Sequence, residues 1–142
     1  MLPQEEQVVI KKQAQELCNL EFQLDTYWKW IIPTFADGSG NLRLVHNVPP
    51  LDYDWQSEDC CIIAPAPNVA ELAIILPWMV NTSSIYTLMI WRCGVGWGVD
   101  YFNDLNRPLI NRWAGENLAK TMGDRLIWLA KEKILIPSEV RL

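Results

Sequence analysis

Hydrophobic positions change their spacing several times along the chain, and each change marks an expected element. Ile10, Ala14 and Leu17 recur at helical intervals, with Val9 and Gln13 beside them. Pro3 suits a first helical turn, and Glu5 and Glu6 complement its positive end. A helix is therefore predicted from Pro3 to about Cys18, closed by Asn19. Phe22, Leu24, Thr26, Trp28 and Trp30 then alternate, which predicts a strand over about 25–32. Ala36 to Asn41 reads as a turn, and Leu42 to Val45 as a short returning strand. A loop from Asn47 to Glu58 leads to a short extended segment, Cys60 to Ile63.

Pro65-Ala66-Pro67 ends that segment. Asn68 followed three residues later by Glu71 is an Asn version of the capping box, so a helix should run from Val69 to about Leu76. Its buried stripe would be Val69, Leu72, Ala73 and Leu76, and Pro77 discourages continuation. After a turn at Asn81 to Ser84, Ile85 to Arg92 and Trp97 to Phe102 form a hairpin around Gly94-Val95-Gly96. A polar connection follows over Asn103 to Arg112. A last helix, from about Gly115 to Ile134, places Leu118, Met122, Leu126, Leu129 and Ala130 on one face. The expectation is a single α+β domain over residues 1–142. An antiparallel sheet would carry three helices, in the order α-β-β-(β)-α-β-β-α.

Composition narrows the function. Half of the 142 residues are apolar and 20% are charged, which excludes a disordered chain. The net charge of −5 argues against broad binding to nucleic acid, because phosphate contacts need a basic excess. Residues 1–71 hold four bases and eleven acids, whereas residues 72–142 hold eight and six. The acidic half would face a basic partner. No basic region precedes an apolar run at the N-terminus, and no apolar stretch reaches the roughly 20 residues that span a bilayer. A soluble cytoplasmic protein with no membrane contact is expected. Cys18, Cys60, Cys61 and Cys93 contain no C-x-x-C pair and read as reduced structural thiols.

Candidate chemistry is sparse. His46 is the only histidine, and nothing fixes a nucleophile–base pair around it. Asp52-x-Asp54 with Glu58-Asp59 fails the EF-hand pattern, which needs Gly where Ser57 stands and Glu where Ile63 stands. Gly94-x-Gly96-x-Gly98 fails the dinucleotide fingerprint and sits in a hairpin turn. No metal, cofactor or catalytic residue is expected. Tryptophan is in surplus, eight against four Tyr and three Phe, so some rings should lie at core edges or an interface. Trp91 and Trp97 are expected to pair across the hairpin and cover the sheet. Tyr53 and Trp55 lie in a loop, where large apolar groups need a docking site. Asp52, Tyr53, Asp54 and Trp55 are the candidate partner-binding residues. Trp91, Gly94, Gly96 and Trp97 are the alternative, a small-molecule or nucleotide site.

Three stretches carry a resemblance. They are Gln15-Glu16-Leu17-Cys18-Asn19-Leu20-Glu21-Phe22 with Tyr27-Trp28-Lys29-Trp30; Ile63-Ala64-Pro65-Ala66-Pro67-Asn68-Val69-Ala70-Glu71-Leu72 ending at Leu76-Pro77; and Trp97-Gly98-Val99-Asp100-Tyr101 with Asn117-Leu118-Ala119-Lys120 and Leu126-Ile127-Trp128-Leu129. In that order the chain resembles small uncharacterised phage and prophage proteins, similar in layout to the phage ABA sandwich type of domain. Such proteins often have Gly at the first helix exit, where this chain has Cys18-Asn19. The resemblance implies a small accessory protein of a bacterial cytoplasm and carries no functional residue. The resulting expectation is a non-enzymatic accessory protein of phage or mobile-element type. It would dock on a host or phage protein, with inhibition as one outcome. The alternatives are a small-molecule or nucleotide binder with weak enzymatic activity, and a structural subunit of a homo-oligomer.

Overall fold

The computed structural model describes residues 7–33, 43–46, 61–112 and 114–142. Its elements follow the expected order with one strand added, β4: α1 (Lys11–Asn19), β1 (Trp28–Pro33), β2 (Arg43–His46), β3 (Cys61–Pro65), α2 (Val69–Ile75), β4 (Met79–Asn81), β5 (Ile85–Cys93), β6 (Gly96–Phe102) and α3 (Leu118–Lys131). A short 3-10 turn, Pro137–Glu139, follows. The fold is α+β and antiparallel. The strands divide between two three-stranded sheets, β2-β1-β3 and β4-β5-β6.

The first helix starts later than its periodicity predicts. Val8 forms an isolated bridge with Asn68, and the Val9 N–H donates to Pro67 O. These long-range contacts hold residues 8 and 9 extended, so α1 begins at Lys11. Gln13 is buried and donates through Nε2 to Lys120 O at 2.6 Å and to Asp124 Oδ1 at 2.7 Å, which stitches α1 to α3. The alternation after Leu20 survives as burial even where no ladder exists. Phe22, Leu24, Thr26 and Trp30 all face inward, and the Trp30 indole donates to Val9 O.

The capping box at α2 is present in full. Asn68 Oδ1 accepts from the Glu71 N–H at 2.9 Å, and Glu71 Oε1 accepts from the Asn68 N–H at 3.0 Å. Leu72, Ile75 and Leu76 are buried on this helix, whereas Ala73, placed in the expected stripe, is exposed. Ile75 takes the inward place, one position from Leu76, because the helix ends there and the chain turns extended.

Helix α3 is the centre of the packing. Met122, Leu126 and Leu129 are fully buried, and Ala119, Thr121, Gly123, Arg125 and Ile127 are buried on its other sides. It meets β6, α1 and α2, while α1 meets β1 and β3. The principal contacts therefore run from the first sheet through α1 and α3 to the second sheet. The helices occupy the middle and the sheets lie outermost.

The chain after β6 is tied back by one carboxylate. Asp100 is 2% exposed, and its two oxygens accept from the N–H groups of Tyr101, Ile110 and Asn111. Asp100→Ala is expected to cost about 3 kcal/mol, because it strands buried donors. Urea unfolding checks this: the midpoint should fall with little change in slope. An unchanged midpoint would show that this segment is held by other contacts.

Candidate functional site

Asp52, Tyr53, Asp54 and Trp55 lie outside the described residues. The alternative set, Trp91, Gly94, Gly96 and Trp97, falls on the β5–β6 hairpin as expected. The register nevertheless separates its two rings. Trp91 is opposite Gly98, and Trp97 is opposite Arg92. Successive residues of a strand point to opposite faces, so the two indoles lie on opposite sides of the sheet and do not pair. The Trp91 ring lies over Gly98, where a Cβ would come within 2.1 Å of its Cε2. It meets Phe102 edge-on at 5.6 Å between centroids. Trp97 is covered by the Arg92 guanidinium, 4.9 Å from the ring centroid.

The glycines serve the hairpin. Gly94 has φ +59° and makes the turn. Gly96 lies against Gly115, whose carbonyl oxygen would meet a Cβ at 2.7 Å. Gly98 seats the Trp91 ring. The clefts beside this hairpin are divided in the same way. Trp97 borders an opening of about 730 Å³ with Glu116, Asn117 and Asn68. Trp91 borders another of about 440 Å³ with Phe102, Pro108 and Arg112. Each of these two openings takes one of the rings and neither of the glycines at 94 and 96.

Acid–base chemistry in this region is structural. Burial, reinforced by the neighbouring Asp100 charge, pushes the Tyr101 phenol far above its usual range. The hydroxyl stays protonated and donates to Pro77 O at 2.6 Å. Burial lowers the Arg125 pKa, while the Asp100 and Asp124 charges act against it. Among the described residues, no group of three or more His, Cys, Asp or Glu is placed to hold a metal ion. Cys18 is half-buried, with its pKa raised by burial, and Cys93 is exposed.

A different feature of the same sheet stands out. One face turns toward α3 and buries Val80, Val99 and Tyr101. The other carries Ile85, Met89 and Met79 at 55%, 49% and 42% exposure, with Trp91 and Phe102 half-buried beside them. Trp78, just before β4, is 70% exposed, and Ile90 is 41% exposed. Trp30 is the one ring among the six described tryptophans that is buried.

The two edges of the sheet also differ. On β6, Trp97 exchanges two backbone bonds with Gly115, Val99 O accepts from Arg125 Nε, and Tyr101 O accepts from the Leu109 N–H. On β5, the Leu88 N–H donates to Trp78 O, and β4 pairs only with residues 85–87. Alternate residues share a direction, so Ile90 and Arg92 aim their backbone groups at the same side. No described strand lies there.

The sequence signal for this surface is Ile85-Tyr86-Thr87-Leu88-Met89-Ile90-Trp91, apolar on both faces. Such a run ordinarily marks a strand covered on both sides. Among the described residues no helix lies over the outer face; residues 108–111 cover its β6 side, where Asp100 is buried, and the β4–β5 side is left exposed. No protein-family model, curated protein or solved structure matches the chain.

The seat beneath Trp91 is testable. Gly98→Ala should destabilise by about 1–3 kcal/mol, because the added methyl displaces a packed ring. In a Trp91→Ala background that cost should largely disappear, giving a coupling of at least about 1 kcal/mol in urea titrations. Additive effects would show that the ring does not rest on Gly98.

Proposed function

We propose that the protein is a non-enzymatic docking protein that binds a protein partner through the outer face of β4-β5-β6. One observation carries the reading. The central strand of that sheet holds large apolar side chains in water on both faces, Met89 at 49% and Ile90 at 41% exposure. Scattered exposed apolar residues need no explanation, whereas a contiguous group on a rigid sheet marks an interaction surface. The surplus of tryptophan accords with an interface at this sheet, since Trp78 stands 70% exposed where β4 begins, on the side of Ile90.

Arg92 extends from the opposite face of β5, and the Trp91 cleft carries Arg112 and Asp100 together, so the outer face favours neither sign of charge. The expectation of a basic partner came from the acidic half of the chain, and its candidate contacts, Asp52 to Trp55, lie outside the described residues. A layout like that of small phage proteins accords with an accessory role, in which docking alone suffices to block a partner.

Affinity capture from the native host tests the reading. Proteins retained by the wild type should be lost with Met89→Lys and with Ile85→Lys. They should be kept with Lys133→Ala, a change on an exposed residue beyond α3. Both sheet variants should remain folded, because the replaced side chains are about half in solvent already. A retained set that is unchanged by either sheet variant but lost with Trp55→Ala would move the surface to residues 52–55.

A further inference from the structure

Resting on that reading, we infer how the partner binds: it adds a strand to the outer edge of β5 over residues 89–93. The added segment is an extended peptide with alternating apolar side chains and an acidic residue beside Arg92. Three observations support this. First, Ile90 and Arg92 each direct one N–H and one C=O toward a side where no described strand lies, so four main-chain bonds are on offer. Five residues of open edge span about 17 Å, enough for one short strand.

Second, the edge lacks the devices that usually block pairing. Sheet edges are commonly protected by proline, by outward lysine or by a covering loop. Met89-Ile90-Trp91-Arg92-Cys93 contains neither proline nor lysine. The one charged side chain of β5, Arg92, rests over the sheet against Trp97 and does not lie across the edge. The opposite edge of this sheet is closed by the chain's own residues 109, 115 and 125. Third, Arg92 makes no ion pair among the described residues, so its charge selects an acidic neighbour on the incoming strand.

A second copy of the chain is disfavoured at this edge. A twofold axis at Trp91, the midpoint of the open segment, would set the two Arg92 side chains on one face, diagonal across the seam, where like charges oppose pairing. The occupant is therefore an extended segment of another protein. Its side chains would alternate between Met89 and Trp91 on one face and Ile90 and Trp78 on the other.

The test uses the full chain, immobilised, and a random linear dodecapeptide library. Enriched peptides should carry alternating apolar residues and an acid. An enriched peptide is then synthesised and methylated at one backbone nitrogen at a time. Each lost main-chain bond should weaken binding about tenfold at alternate nitrogens, with the intervening ones unaffected. Ile90→Pro, which removes an outward N–H, should abolish binding. The methylated peptides give the same answer should that variant fold poorly. Several results overturn the edge inference: no enriched peptide, a methylation pattern without period two, or binding that survives Ile90→Pro. Loss with Met89→Lys but not with Ile90→Pro would leave the face reading standing and remove the edge. In the host capture, indifference to Met89→Lys would remove the face reading itself.

Discussion

Helix α3 can be surrounded only once, and that constraint shapes the rest of the molecule. Its Met122, Leu126 and Leu129 are sealed from solvent, and Arg125 reaches from it to the β6 backbone. With α1, α2 and β6 gathered around it, the two sheets lie at the outside of the packing. Among the described residues, no helix also covers the far face of β4-β5-β6. The segment after β6 closes one edge of that sheet through Asp100, Gly115 and Leu109, and β4 closes half of the other. Among the described residues, what remains exposed is the β4–β5 side of the outer face and the edge of β5 beyond β4.

The energetics fit a surface completed by a partner. A net main-chain hydrogen bond contributes about 0.5–1.5 kcal/mol. Four such bonds supply a few kcal/mol, which gives register and direction more than affinity. The apolar contacts with Met89, Ile85 and Trp78 would supply the larger share, at about 25 cal/mol per Å² removed from water. Substituting one face residue should therefore weaken binding without changing the orientation of the bound strand.

Elements with local signatures were legible in the sequence. Asn68 and Glu71 announce α2 because both halves of the capping box lie within four residues. Leu118, Met122, Leu126 and Leu129 announce α3 by spacing alone, and the Gly94 turn announces the hairpin. Features set by distant partners were not legible. The start of α1 depends on Val8 meeting Asn68. The division into two sheets depends on which strands find each other, which no single segment encodes. The expected Trp91–Trp97 pair failed by one residue of register, since Trp97 meets Arg92 and Trp91 meets Gly98. The open edge was hidden for a related reason. The apolar run of β5 is the same whether a neighbour covers it or not.

Amide hydrogen exchange in the free protein, resolved by residue along β5, measures the central claim most directly. An edge open at residues 89–93 requires fast exchange at Ile90 and Arg92, whose N–H groups meet water, and protection at Met89 and Trp91, whose N–H groups face β6. Equal protection of all four amides would mean that the chain already covers this edge, and would contradict docking by an added strand.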